Sequence, residues 1–489
     1  MGNPTASSSK SLLFFSLAVA SLVLFASFND GDAAADRKLM ATESHEFHVI
    51  KLSSILPDSV CDSSSQGHKP SSSSLTVVHK HGPCHKQHKT KDSSSPSASE
   101  LLTHDDSRVK SINSRIAFTA AGNSFTSTES VTVRAKSGSS LGSGNYIVTV
   151  GLGSPKKDLS LVFDTGSDLT WTQCKPCARS CYVQAEPIFN PSQSTAYSNV
   201  SCSSQQCTQL KSATGNSPSC SNSGNACIYG IQYGDQSFSV GYFAKDTLTI
   251  SPTDVITNFY FGCGQNNQGL FGQTAGLIGL AKDQLSIVSQ TSAKYGKVFS
   301  YCLPSTRSGT GYLTFGKSAV LKAVQYIPFA NSKGTTLYFI DILGMYVGGQ
   351  KLQISPTVFT TAGSIIDSGT VITRLPPAAY TALRNTFRTQ MSQYPLGKPV
   401  SILDTCYDFS KYTTVNIPTV SFLFGGNKKI DLDGSGIMYV VSSSQVCLAF
   451  APNSDPSDVT IYGNVQQKTM QVVYDVAGGM LGFGAQGCA

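Results

Sequence analysis

Beyond residue 104 the chain has no histidine; all eight, at positions 45, 48, 68, 79, 81, 85, 88 and 104, precede it. The large remaining part therefore cannot be a Ser-His-Asp or Cys-His hydrolase, nor hold a zinc ion through imidazole. Glutamate is almost as scarce. From residue 131 to the end 24 Lys and Arg face 17 acids, and Glu186 is the sole glutamate among them. Chemistry there has to run on aspartates, hydroxyls, lysines or thiols. There is one tryptophan, Trp171, and one long apolar run, Leu12 to Ala26. That run is shorter than the ~20 residues a membrane-spanning helix needs. With Lys10 before it and the small residues Ala33 and Ala35 after it, it reads as a signal peptide over residues 1–35 and predicts secretion. The ending LGFGAQGCA lacks the apolar tail of a lipid-anchor signal, so no membrane anchor is expected.

What is present fits an oxidising compartment. Of 14 cysteines, Cys61 and Cys84 lie early and twelve lie after residue 170, an even number suited to full pairing. Cys174-Lys-Pro-Cys177 has the spacing of a redox site or half a zinc site, but the context either would need is missing. Asn199-Val-Ser201 is a glycosylation sequon within a polar stretch.

The net charge of +7 resides in the part after residue 130 and by itself indicates a solvated surface. Residues 36–135 differ in composition. They are rich in Ser, Lys and His, with an acid-free patch HKHGPCHKQHKTK at 79–91. Within them, Leu101, Val109, Ile112 and Ile116 have helical spacing. From Tyr146 on, short β-branched and aromatic runs alternate with Gly, Asn, Ser and Pro, which predicts an all-β domain. The stretches 285–296 and 376–391 are helical exceptions.

Two stretches repeat. LVFDTGSDLTW (161–171) and SIIDSGTVITR (364–374) each bring an apolar run to an aspartate, followed by a hydroxyl residue, glycine and a second hydroxyl residue. Each is followed by an apolar pair before glycine, in AGLIGLA (275–281) and VTIYGNV (459–465). So long a period indicates duplicated lobes rather than a solenoid. Two buried strand ends presenting Asp164 and Asp367 can meet across a lobe boundary. Like charges in contact cannot both ionise, so the pair would hold one proton and supply an acid and a base together. Thr165 and Ser368 can support the two turns across the boundary, Ser167 and Thr370 can bond the outer carboxylate oxygens, and Gly166 and Gly369 permit the turns.

With these motifs the chain resembles the pepsin-like aspartic proteases over residues 140–489. The resemblance implies a bilobal all-β fold with the cleft between two duplicated lobes, 136–340 and 341–489. It also implies a flap in IQYGDQSFSVGYF whose Tyr233 lies over substrate, close to Trp171. The family generally has glycine where Gln236 stands, which puts the flap turn in question. The stretch 174–227 is similar to the cysteine-rich insert of nepenthesin-like plant proteases. That similarity suggests the pairs Cys174–Cys177, Cys181–Cys263, Cys202–Cys227, Cys207–Cys220, Cys302–Cys488 and Cys406–Cys447. The implied protein is a monomeric, pepstatin-sensitive, cofactor-free endopeptidase, with residues 36–135 as propeptide. Its expected site is the apoplast, its substrates peptides with bulky apolar residues at the cut, and its optimum mildly acidic. The basic propeptide would pair with acids of the cleft and be cut between residues 118 and 140. The second reading is a chloroplast nucleoid protease that binds DNA through the patch 79–91. Against it, the patch lacks interleaved aromatics. A catalytically dead inhibitor-binding relative is the third, and both intact Asp motifs argue against it.

Overall fold

The computed structural model describes residues 45–63, 73–85, 96–120, 146–233, 237–269, 271–317, 320–321, 323–331 and 333–488. The signal peptide, residues 86–91 of the basic patch, the expected cleavage stretch after residue 120 and the flap residue Gln236 lie outside these.

Each aspartate motif belongs to a run of five neighbouring strands of the same design, within the largest sheet for the first motif and as a separate five-stranded sheet for the second. In the first lobe, strand β3 (Tyr146–Leu152) runs antiparallel to β4 (Lys157–Asp164), which ends on Asp164. β4 is parallel to Gly276–Gly279. That strand in turn runs antiparallel to β5 (Trp171–Gln173), and β5 is parallel to Asp254–Gln268. In the second lobe, which takes in Phe339–Ile340 just ahead of the boundary expected after residue 340, the same order of orientations recurs through Phe339–Ile340, Ser364–Ile366, Thr460–Tyr462, Thr373–Leu375 and Phe450–Pro452. The register agrees as well, since Trp171 faces Leu277 and Arg374 faces Ile461. The apolar pairs before glycine are thus the middle strands of the two units. Their glycines are required by space: a Cβ on Gly279 would lie 2.3 Å from the Asp168 backbone, and one on Gly463 2.8 Å from the Val371 carbonyl. The chain is an all-β, bilobal, pepsin-like protein.

The N-terminal segment, distinct in composition, is woven into this fold. β1 (Phe47–Lys51) pairs with Thr414–Pro418 of the second lobe. β2 (Ser74–His79) lies between Thr310–Phe315 and β3 in the largest sheet. Helix α1 (Ala98–Ala120) follows. It opens on a capping box in which Ser97 Oγ accepts from the Glu100 N–H and Glu100 Oε2 accepts from the Ser97 N–H. Its spaced residues Leu101, Val109, Ile112 and Ile116 are all buried, as is Leu102 beside the first of them. Leu102 packs with Val371, Ile372 and Leu403, while Val109, Ile112 and Ile116 pack with Leu337, Phe339 and Ile461. The basic patch is only partly a surface feature, because His79, Lys80 and His85 are buried. Among the described residues it does not offer the phosphate-facing run that DNA binding would use.

The disulfides correct four of the expected pairs. Cys174 joins Cys263, Cys177 joins Cys181, Cys202 joins Cys220 and Cys207 joins Cys227. Burial sorts them. Cys174 and Cys263 are buried on neighbouring parallel strands, while Cys177 lies in the exposed loop beyond. Cys207 sits on the inner face of helix α2 (Gln205–Thr214), against the buried Cys227; the exposed Cys220 takes the outer Cys202. Cys302 joins Cys488, Cys406 joins Cys447, and Cys61 joins Cys84 within the N-terminal segment. A non-reducing digest of the oxidised protein should yield peptides linking Cys174 to Cys263 and Cys207 to Cys227; recovery of a Cys174–Cys177 loop would return the pairing to the one suggested by the resemblance.

Candidate active site

β4 and Ser364–Ile366 are apolar and buried on both faces, so each can end in a buried carboxylate only if the following turn supplies donors. The turns do so. Gly166 N–H donates to Asp164 Oδ1 at 2.9 Å and Gly369 N–H to Asp367 Oδ1 at 3.0 Å. Across the lobe boundary, Thr165 N–H donates to Ser368 Oγ (3.1 Å) and Ser368 N–H to Thr165 Oγ1 (2.9 Å). This reciprocal pair fixes the two turns against each other. Neither glycine has positive φ; both are needed because a Cβ would strike the opposite carboxylate, 2.7 Å from Asp367 Oδ1 or 2.5 Å from Asp164 Oδ1.

Thr370 Oγ1 donates to Asp367 Oδ2 at 2.6 Å. Its counterpart Ser167 also acts to lower the Asp164 carboxyl, while the outer oxygen of Asp164 is taken by another group. That group is Arg108 of α1, which sequence reasoning missed as an individual residue. Its Nη2 donates to Asp164 Oδ1 (2.7 Å) and Asp367 Oδ2 (2.9 Å), its Nη1 to Asp164 Oδ2 (3.2 Å) and its Nε to Asp367 Oδ2 (3.1 Å). One guanidinium thus bridges both aspartates. The available signal was the helical spacing of 101–116, which puts Arg108 beside the buried Val109 and one turn after Asp105.

Burial works to raise both carboxyls, and Arg108 opposes it. At Asp164 the guanidinium and the Gly166 N–H outweigh burial, and the carboxyl lies below the usual aspartate range. At Asp367 burial, reinforced by the charge of Asp164, outweighs Arg108 and the carboxyl lies above it. The two environments pull apart, as an acid and base pair requires.

Trp171 is fully buried, and its Nε1–H donates to Tyr233 Oη at 2.8 Å. Phe271 packs edge-on against both rings, so the tyrosine at the end of Cys227–Gln232 is held by an aromatic floor. Among the described residues no group of His, Cys, Asp and Glu is arranged to hold a metal ion.

Comparison with known proteins agrees with this geometry. Residues 146–317 match the family model described as xylanase inhibitor N-terminal, and residues 337–485 match xylanase inhibitor C-terminal. The chain is 56% identical over 447 residues to an aspartyl protease family protein of Arabidopsis thaliana, covering 90% of this chain and 93% of that protein. It is 49% identical over 442 residues to aspartyl protease AED1 of the same plant, covering 90% and 92%. To aspartic proteinase nepenthesin-2 of Nepenthes gracilis it is 38% identical over 347 residues, covering 68% and 76%. Among solved structures, lupine conglutin gamma superposes with a TM-score of 0.57 at 20% identity, covering 69% of this chain and 91% of that one, a likeness of fold alone. The chain belongs to the pepsin-like aspartic protease family of plants.

Proposed function

We propose that the chain is a secreted aspartic endopeptidase made as a zymogen, with α1 as the inhibitory element and Arg108 as its plug. The single observation that carries this reading is the guanidinium seated between two buried aspartates that hold each other through their turns. With Arg108 withdrawn, a water between the carboxylates would lose a proton to one of them and attack the scissile carbonyl, while the other protonates the carbonyl oxygen. The apolar surface that α1 covers, including Val371, Ile372, Leu337 and Phe339, would then meet bulky side chains of an extended peptide held under Tyr233. An inhibitor-like, catalytically dead role would have no use for a plugged dyad. Asn199 is exposed, as a glycosylated position would be; a mass unchanged by deglycosylation would exclude its use.

Acid release follows from proton counting. An unplugged pair, two like charges in contact, would keep one proton through mild acid. Arg108 lowers the proton affinity of both carboxyls, so seating it expels that proton and the closed form weakens as pH falls. The histidines act in the same direction. Burial depresses His79 and His81, so they stay neutral in the closed form and take up protons only once freed, below about 6.5. Asp105 has the opposite sign. Burial raises its docked carboxyl above the usual range, against the pull of Arg374 and two backbone amides, so its proton favours docking.

Asp164→Asn and Asp367→Asn should each cut turnover of a pepstatin-sensitive peptide assay by about a thousandfold or more, with secretion unchanged. A single variant with near-normal turnover would refute the mechanism. For Arg108→Gln, the precursor should mature at a pH about one unit or more above wild type, followed by N-terminal sequencing across a pH series. An unshifted midpoint would remove Arg108 from the control of activation.

A further inference from the structure

Arg108 is not the only charge that α1 delivers to the cleft. One turn earlier, Asp105 is fully buried in the second lobe. Its Oδ1 accepts from the Val371 N–H (2.6 Å), and its Oδ2 accepts from the Ile372 N–H (3.1 Å) and meets Arg374 Nη1 at 3.1 Å. These donors follow directly on Thr370, which holds Asp367. Arg374 is itself 1% exposed, and its Nη1 also donates to the Ile372 carbonyl at 2.9 Å. Its Nη2 makes no hydrogen bond and lies 3.9 Å from Asp106. Among the described residues, both carboxylates within 4.0 Å of Arg374 thus come from α1.

Removal of α1 leaves two backbone N–H groups and a guanidinium converging on the place of one carboxylate. A guanidinium fork with adjacent amides matches the planar, two-oxygen geometry of a carboxylate. Left without an anion, a buried arginine is costly, which favours refilling the place with another. The space continues outward, because a cavity of about 550 Å3 between α1 and residues 452–459 reaches Arg374. The duplicated fold shows what is unusual here. Trp171 and Arg374 stand seven residues after their aspartates and hold equivalent register positions. Trp171 is committed to the flap tyrosine, whereas the counter-charge of Arg374 arrives only with the inhibitory helix.

We propose that in the active enzyme Arg374, with the Val371 and Ile372 N–H groups, forms a subsite that binds the side-chain carboxylate of a substrate Asp or Glu near the scissile bond, and that Asp105 is its occupant in the precursor. This deepens the protease reading and rests on it. An extended substrate does not share the helical register of α1, so the position of the acidic residue is found by scanning.

Acid-matured enzyme is assayed on internally quenched peptides that differ at one position at a time on either side of the cut, each carrying Glu, Gln or Leu. At one position Glu should exceed Gln in kcat/KM by about tenfold, chiefly through KM. The advantage should fade as the substrate carboxyl protonates below about 4.3. Arg374→Gln should abolish the advantage while the Gln and Leu peptides are still cut, and Arg374→Lys should restore part of it. Cleavage with no position at which Glu surpasses Gln, or an advantage that survives in Arg374→Gln, overturns the subsite and leaves the protease reading standing. Failure to cut any peptide overturns both. If Arg374→Gln does not accumulate, the comparison of Glu with Gln on wild-type enzyme decides alone.

Discussion

Two carboxylates buried against one another are the constraint to which the rest of the molecule answers. Each resists ionisation because it is out of water, and each resists more because of the other. Nothing loose could hold them there, since repulsion would part the lobes or draw in water. The reciprocal Thr165 and Ser368 bonds lock one turn to the other, and the glycine N–H groups fix one oxygen of each carboxylate. The outer oxygen of Asp164 is left for what comes and goes, which in this form is Arg108, while that of Asp367 is shared by Thr370 and Arg108.

The duplicated strands make that arrangement rigid. In each lobe the aspartate strand lies parallel to an apolar strand that crosses closely beneath the following turn, and only glycine at 279 and 463 leaves room. Beneath them, Leu280 N–H donates to the Asp164 carbonyl, and Asp367 N–H donates to the Tyr462 carbonyl. The backbone on both sides of the dyad is therefore bonded before any side chain acts, and the carboxylates inherit their spacing from the sheets.

Much of this was legible in the sequence because it is local or repeated. Apolar runs ending on Asp, and apolar pairs ending on Gly, occur twice, and each is a strand whose identity does not depend on distant context. The spacing of Leu101, Val109, Ile112 and Ile116 carried the helix, since a 3.6-residue period shows wherever one face is buried. The disulfides were not legible in this way. Whether Cys174 meets Cys177 or Cys263 depends on which lies inside, and inside is a property of the assembled sheet. Arg108 and Arg374 were illegible for a related reason. A single arginine carries no pattern, and its meaning comes from an acid brought close by folding, 56 residues away along the chain for Asp164 and 269 for Asp105.

On the proposed zymogen reading, the helix would inhibit by opposite charges placed one turn apart. Arg108 enters an anionic site and Asp105 a cationic one, and each leaves a buried charge uncompensated when it departs. The two contacts are joined by a single rigid helical turn and by the chain from Asp367 to Arg374, so neither can open far without the other. Loss of the dyad contact in acid, as proposed, would therefore strip support from the Asp105 contact too, although protonation of Asp105 alone would favour closure. A helix held at one point would leak as its site fluctuated. On the proposed reading, a helix held at two points of opposite sign would stay shut until the dyad regains its proton, and would leave behind a cleft with a singly protonated carboxyl pair on one side and an unpaired cation on the other.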